Sequence, residues 1–188
     1  MEPQPISSAS PVPSAAPSTA HSTAQNTALS ADDIERLRVT ILVASSARAN
    51  GNHPFGSVLT DAAGTVVLEA ENSVVTERDV TGHAETNLVR LAWREIDEAD
   101  LPSYTLFTSC EPCAMCAGAI YWSGIGRMVF ALSETGLLGL TGNHPDNPTL
   151  SLPCRDVFAS GQRATVVVGP VAEMEDEAAA PHLGFWGH

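Results

Sequence analysis

Two short motifs, well separated along the chain, constrain this sequence more than any other feature. The first is His83-Ala84-Glu85, and the second is the run Pro-Cys-Ala-Met-Cys at residues 112–116. Imidazole and thiolate groups are the ligands that tetrahedral zinc prefers, and three protein ligands leave its fourth position open, as in catalytic sites. We therefore predict one zinc ion per chain, bound by His83, Cys113 and Cys116. Any fold of this chain must bring the two motifs together.

Glu85 is the candidate catalytic residue of this site. It lies two positions beyond His83, so its carboxylate can face the site without binding the metal. A carboxylate within reach of a reacting group can act as a general acid and base. We predict that Glu85 moves protons during a reaction with water.

Other interpretations of the same residues stay open. Two cysteines at this spacing also occur as a redox pair, as half of a structural zinc site, or as two buried thiols. A structural zinc would need a fourth ligand, and Cys110 and Cys154 are the spare cysteines. Cys110 ends an apolar run, where a small buried residue is the simpler interpretation. The proline, both spacings and the free glutamate together favour the catalytic site.

The first 28 residues differ in composition from the rest of the 188-residue chain. Ser, Ala, Pro, Thr and Gln dominate there, and such a segment cannot bury enough apolar surface to offset its ordering entropy. We predict a disordered tail over residues 1–28 and one domain over residues 29–188. The tail has no basic residue and no continuous apolar run, so it does not resemble a signal peptide.

The remaining composition bears on location and partners. No stretch of ~20 apolar residues predicts a membrane span, and four cysteines beside a zinc site suit a reducing cytoplasm. The formal charge is −13, and all nine basic residues are arginine without a basic cluster. Proteins that hold nucleic acid neutralise phosphates with clustered Lys and Arg. We therefore predict a cytoplasmic protein that acts on a small molecule, not on nucleic acid or at a membrane.

Helices and strands alternate along the predicted domain. A Ser-Ala-Asp-Asp start at residue 30 predicts a helix over 31–49, and a second helix begins near Thr81-Gly82 and ends near Ile96. Pro112 suits the first turn of a third helix. The remaining predictions are strands over 55–61, 65–72, 104–108, 127–132 and 164–171, and a short helix over 155–160. This alternation is typical of an α/β fold, a three-layer α/β/α sandwich around a mixed sheet.

The predicted zinc ligands fall in the first turns of two successive helices. Unpaired backbone N–H groups and the positive end of the helix dipole favour thiolate over thiol at such positions. Two helix starts at one edge of a sheet would bring the three ligands together.

With these residues the chain resembles the cytidine deaminase-like superfamily over residues 31–171. The stretch 108–122, Thr-Ser-Cys-Glu-Pro-Cys-Ala-Met-Cys-Ala-Gly-Ala-Ile-Tyr-Trp, is similar to that of bacterial guanine deaminases. The pattern Asp79-x-Thr81-x-His83-Ala84-Glu85 is shared with cytosine deaminases and tRNA adenosine deaminases. The resemblance implies a mixed five-stranded sheet, a bound zinc, a homodimer and hydrolytic deamination, with guanine as the first substrate.

The resemblance also implies residues that bind substrate. Asn72, eleven positions before His83, matches an amide that binds the base, and the resemblance places Phe55 and Ala84 beside it. Residues 136–155 depart from the guanine deaminase pattern, and Asp146 is their best candidate acid. At the end of the chain, Phe185 and Trp186 are predicted to form an aromatic lid over the pocket, with packing on the protein's own surface as the alternative.

Rival functions share parts of this pattern. Cytosine, guanosine or an aminated triazine could replace guanine as the substrate of the same fold. A tRNA adenosine deaminase would share the zinc site but need a basic surface, which the sequence lacks. A non-catalytic zinc module would keep the two cysteines without requiring Glu85.

Overall fold

The structure is a computed structural model that describes residues 28–142 and 144–187, so nearly all of the predicted tail lies outside the described residues. The strands are β1 Gly56–Thr60, β2 Val66–Glu71, β3 Thr105–Cys110, β4 Arg127–Leu132 and β5 Val166–Val168. The helices are α1 Ala31–Ala49, α2 Val74–Glu77, α3 Ala84–Glu95, α4 Ala114–Ser123, α5 Glu134–Thr141, α6 Cys154–Ala159 and α7 Glu175–Ala179.

The five strands form one mixed sheet in the order β2-β1-β3-β4-β5. Strand β1 pairs antiparallel with β2 and with β3, whereas β3, β4 and β5 run parallel. Because β3 and β4 are parallel neighbours, the residues that follow them meet at the same edge of the sheet. The second motif, which contains Cys113 and Cys116, follows β3.

Two apolar layers cover the two faces of the sheet. On one face, Leu37 of α1 and Ala178 of α7 pack on alternate residues of the central strands. On the other face, side chains of α3, α4 and α6, among them Leu88, Ile120 and Phe158, pack on the remaining strand residues. The predicted three-layer α/β/α sandwich with a mixed five-stranded sheet is confirmed.

Helix α1 has the bounds that the sequence predicts, and the hydrogen bonds of its N-cap explain where it begins. The Asp33 backbone N–H donates to Ser30 Oγ at 3.1 Å, and the Ser30 N–H donates to Asp33 Oδ2 at 2.8 Å. Gly56, the first residue of β1, packs directly on this helix, since a Cβ there would lie 2.4 Å from the Thr40 carbonyl oxygen. This close contact fixes the strand start beside Phe55.

Several predicted elements differ in length from the observed ones. Helix α3 begins at Ala84, not near Thr81, because His83 has an extended backbone and is the N-cap. Strand β5 keeps only Val166–Val168 of the predicted 164–171. Helices α2 and α5 were not predicted. Of these, α5 contains two glycines, which are poor helix formers, and it is started by the Ser133 side chain accepting from the Gly136 N–H.

A buried ion pair ties α1 to β4. The two terminal guanidinium nitrogens of Arg127, Nη1 and Nη2, each lie 2.8 Å from a carboxylate oxygen of Asp33, and the two residues are only 8% and 7% exposed. Burial alone would raise the pKa of Asp33, but the hydrogen bonds and charge of Arg127 hold that pKa below its usual value.

Replacing Asp33 with asparagine is expected to lower the free energy of unfolding by about 3 kcal/mol, because it leaves a buried guanidinium without its counter-charge. Urea denaturation at neutral pH measures the loss, with Asp32→Asn, an exposed neighbour in the same helix turn, as control. The carboxylate of Asp33 stabilises the fold only while it is ionised, so the difference should shrink as the pH falls through its lowered pKa. Equal stability of both variants would contradict this role.

Within residues 28–142 and 144–187, none of the helices combines the length and apolar character that crossing a membrane would require.

Candidate zinc and substrate site

The predicted metal ligands come together at the N-termini of α3 and α4. His83 and Cys113 are the N-cap residues of these helices, and Cys116 lies in the first turn of α4. Helix α3 follows β2 and α2, and helix α4 follows β3. Because β2 and β3 are both antiparallel to β1, they end at the same edge of the sheet, and the two N-cap residues lie at that edge. The three ligand atoms lie within 4.8 Å of one another.

The donor set and its spacing fit zinc. The sulfur atoms of Cys113 and Cys116 lie 3.7 and 3.5 Å from His83 Nδ1. Tetrahedral zinc with its usual bond lengths would hold sulfur and nitrogen about 3.6 Å apart. The hydrogen bonds that the Cys113 sulfur accepts from Cys116 and from His83 lower the pKa of this thiol to about 4 despite its burial, so the group is a thiolate at neutral pH.

Glu85 lies beside these ligands in the first turn of α3. It is 5% exposed, and the Thr108 hydroxyl of β3 donates a hydrogen bond to its Oε1 at 3.0 Å. The Thr108 hydroxyl accepts in turn from Ser57 Oγ of β1 at 3.1 Å. Burial raises the pKa of Glu85. The carboxyl group is thus fixed in orientation and able to take up a proton more readily than one in water.

A cavity of about 380 Å³ opens onto His83, Glu85 and Cys113. Of the residues predicted to bind substrate, Phe55, Asn72 and Asp146 line it. Ala84 is fully buried and is not part of the lining. The remaining lining residues come from several elements and loops: His53, Val74, Val80, Glu111, Met115, Glu134, Leu137, Asn147, Pro148, Thr149 and Leu150.

Asn72 stands at the end of β2 and is 1% exposed. Its Oδ1 accepts from the Val74 N–H at 3.1 Å, and its own N–H donates to the Phe55 carbonyl oxygen at 3.1 Å. These bonds fix the side chain with its amide group at the cavity wall. The amide nitrogen makes no hydrogen bond to another described residue, so it is free to donate to a ligand.

Sequence reasoning missed two acidic residues of the cavity, Glu111 and Glu134. They follow the ends of β3 and β4, and the parallel pairing of these strands was the signal that could have placed them together. Burial, with the negative charges of Cys113 and Glu111 nearby, raises the pKa of Glu134 to about 7. Glu134 can therefore hold a proton inside the cavity near neutral pH.

The Glu111 carboxylate links three parts of the site. Its Oε2 accepts from the Glu134 N–H at 3.1 Å and its Oε1 from the Cys154 N–H at 3.0 Å. These are the first residues of α5 and α6, so one carboxylate binds two helix N-termini, where a negative charge is favoured. Glu111 itself lies two positions before the ligand Cys113.

The structure does not bring Phe185 and Trp186 into the cavity lining, where the sequence predicted a lid. Trp186 is 2% exposed and packs behind the wall, with its ring 5.4 Å from that of His53 and 6.3 Å from that of Phe55. Its Nε1–H donates to His182 Nδ1 at 3.3 Å. Burial of the large Trp186 ring against the rest of the chain stabilises this position of the Phe185–Trp186 pair. The two rings pack on His53 and Phe55, which do line the cavity.

Cys110, the alternative zinc ligand, has a different partner. Its sulfur lies 3.5 Å from His182 Nε2, on the side of the C-terminal segment. That segment is held by Arg48, whose Nη1 donates to the carbonyl oxygens of Pro181 and Leu183 at 2.7 and 2.9 Å. Cys110 therefore joins the C-terminal segment to β3, and the metal-ligand cluster found in the described residues does not include it.

Residues 30–132 match the family model of the cytidine and deoxycytidylate deaminase zinc-binding region. The chain belongs to this deaminase family. It is 46% identical over 158 residues to a probable cytosine deaminase of Schizosaccharomyces pombe, covering 84% of this chain and 94% of that protein. It is 37% identical over 98 residues to a guanine deaminase of Bacillus subtilis, covering 52% and 62%.

A solved structure of a guanine deaminase from Nitrosomonas europaea has the same fold. Its TM-score is 0.67 at 25% identity, over 82% of this chain and 84% of that chain. This family member is accordingly a zinc-dependent hydrolytic deaminase of nucleobases or nucleosides, and the ligand atoms of His83, Cys113 and Cys116 lie close enough together to hold a metal ion. The predicted family, fold, enzyme class and cofactor are confirmed.

Proposed function

We propose that this deaminase acts on a free nucleobase, replacing an exocyclic amino group by oxygen and releasing ammonia. The observation that carries the proposal is the buried Glu85 carboxyl in the same cavity as the zinc ligands. A cavity of about 380 Å³ lies toward the small end of small-molecule sites. The charge of −13 also supports a small substrate over a polynucleotide.

Glu85 is the proton carrier in this proposal. Zinc, when bound, acts as a Lewis acid that makes water acidic enough to react at neutral pH. Glu85 accepts one proton from the attacking water and passes it to a ring nitrogen. It then accepts the second proton from the hydroxyl group newly bonded to the ring carbon and passes it to the amine, which leaves as ammonia while the carbonyl forms. The hydrogen bond from Thr108 holds one carboxyl oxygen while the other exchanges protons.

Asn72 and Phe55 position the base in this proposal. The Asn72 amide nitrogen donates to an acceptor on the ring edge, and the Phe55 ring provides an apolar surface beside it. Phe55 precedes β1 and Asn72 follows β2, so the paired ends of these two strands hold both residues at the cavity wall. The ring carbon that carries the amine is thereby held near the zinc ligands, which lowers the entropic cost of reaction.

Cytosine is the first substrate that we propose, and guanine the second. The near full-length similarity to a probable cytosine deaminase favours cytosine. The sequence run 108–122 and the structural similarity to a guanine deaminase favour guanine, the substrate that the sequence predicted first.

The test is ammonia release by the zinc-loaded protein. We expect the largest kcat/KM with cytosine or guanine, above cytidine, guanosine, adenine, adenosine and aminated triazines. Protein carrying Glu85→Gln is the control for contaminating deaminases. Turnover of adenosine in tRNA with none of any free base would overturn the proposal.

We also propose that the protein is a homodimer and that it acts in the cytoplasm. Trp93 on α3 and Trp122 on α4 are 48% and 72% exposed, on the two helices that begin with the metal ligands. Exposed tryptophans are enriched at protein interfaces, and this supports pairing through that face.

A further inference from the structure

His53 lines the cavity but has no part in the proposed reaction. It lies in the loop between α1 and β1, two positions before Phe55, and it is partly exposed. Burial is the main cause of the lowered pKa of its ring, and the nearby charges of Asp146 and His83, two other lining residues, act on that pKa in opposite directions. The imidazole ring is therefore close both to the metal ligands and to the loop that carries Asp146.

The two ring nitrogens of His53 are available to a ligand. Neither makes a hydrogen bond to another residue within 28–142 or 144–187. The ring is neutral at pH 7, so one nitrogen donates and the other accepts. Elsewhere in the cavity wall, the amide nitrogen of Asn72 only donates, and an ionised carboxylate such as that of Asp146 only accepts. His53 thus gives the cavity a group that does either.

The backbone around His53 is fixed on both sides. The preceding residue, Asn52, is 1% exposed, and its Oδ1 accepts from the N–H groups of Val75 and Thr76 at 3.1 and 3.0 Å. On the other side, the Phe55 N–H donates to the His53 carbonyl oxygen at 2.8 Å. These bonds tie the loop to α2 and to the start of β1.

The ring of His53 packs on the C-terminal aromatic pair. Its centroid lies 5.4 Å from that of Trp186, with 51° between the planes, and 6.1 Å from that of Phe185, with 78° between the planes. Trp186 is itself held in place, since it is 2% exposed and donates to His182. The imidazole is thus oriented before a ligand arrives, so a hydrogen bond to it costs little side-chain entropy.

We infer that His53 is a substrate-binding residue whose imidazole hydrogen-bonds the polar edge of the base that lies away from the amine. This inference rests on the proposed function. Cytosine and guanine each carry a carbonyl oxygen next to a ring N–H, and a group that donates or accepts can pair with either atom. Such a bond is made equally in the bound substrate and in the transition state, so its loss raises KM and leaves kcat in place.

The experiment separates the polar atoms of His53 from its ring. His53→Phe keeps an aromatic ring against Trp186 and removes both nitrogens, whereas His53→Asn and His53→Gln keep an amide near the positions of Nδ1 and Nε2 and lose the ring. Steady-state ammonia release is measured with zinc-loaded protein and with whichever of cytosine and guanine the wild type deaminates. We expect His53→Phe to raise KM about tenfold with kcat within about twofold, and at least one amide variant to raise KM no more than about threefold.

A role in packing alone predicts the opposite order of the variants. The phenylalanine would then keep the wild-type KM, and both amides would raise it. Zinc content and melting temperature check that each variant is folded. Should His53→Phe not fold, His53→Leu, which also lacks polar atoms, takes its place.

The outcomes separate the two proposals. A wild-type KM in His53→Phe, an equal rise of KM in all three variants, or a loss of kcat at unchanged KM would overturn the binding role and leave the proposed function in place. A wild type that releases ammonia from no base at all would overturn the proposed function, and this inference with it.

Discussion

Replacing Glu85 with glutamine is expected to lower kcat by about a hundredfold or more while leaving zinc content and melting temperature unchanged. Glutamine preserves the shape of the side chain and can still accept the hydrogen bond from Thr108, but it cannot carry a proton between water, ring and amine. Steady-state ammonia release measures the loss, with zinc determined on the same samples. The expected effect is large because the burial that raises the pKa of Glu85 also excludes bulk water from replacing it.

Glu95→Gln is the control for this substitution. It makes the same chemical change at the exposed C-terminal end of the same helix, α3, and should leave kcat unchanged. If the Glu85 variant retained wild-type turnover, proton transfer would have to be assigned to another group. Glu134, whose pKa is about 7 in the same cavity, would then be the next residue to examine.

Replacing Cys113 with alanine is expected to remove nearly all zinc from the purified protein and to lower its melting temperature. One thiolate provides a third of the protein ligands, and the energy of zinc binding contributes to folding because the unfolded chain holds no formed site. Elemental analysis gives the zinc content per chain. Thermal unfolding with and without a chelator shows whether the loss of stability follows the metal.

Cys110→Ser is the matched control for the zinc prediction. Cys110 is also a buried cysteine close to the motif, but its sulfur contacts His182, so about one zinc per chain should remain. Full occupancy in Cys113→Ala would disprove the ligand assignment. Loss of zinc from Cys110→Ser would instead indicate a closed four-ligand site without an open position for catalysis.

The sequence could single out residues that the structure brings together because the candidate zinc ligands are recognised from short, local patterns. His83, Glu85, Cys113 and Cys116 are recognisable from residue type and spacing. The helices that follow the two motifs begin later than the sequence predicts, at Ala84 and Ala114, so that Pro112 lies before α4 and not in its first turn. The N-cap pattern at Ser30 predicted the start of α1 for the same reason. In each case the signal and the structure lie within a few positions of each other.

The wall of the cavity opposite this motif could not be predicted in the same way. Residues 142–153 form no helix or strand among those described there, so periodicity carries no information about which side chains face inward. The prediction for Trp186 used the apolar area of the ring and the resemblance to guanine deaminases, which indicate that the ring is buried but not against which surface. Placing Glu134 in the cavity requires knowing that β4 pairs with β3, and this pairing is known only once the order of the strands in the sheet is known.

The bonds of Glu111 have a consequence for how such an enzyme can diversify. The segment between Glu134 and Cys154 leaves and returns to the same carboxylate, two positions before a zinc ligand. Its length and sequence can therefore change without moving either attachment point or the catalytic centre. This arrangement allows one wall of the cavity to vary while the residues at the two helix N-termini stay in place, so a new specificity could be acquired by exchanging one segment while the chemistry is inherited unchanged.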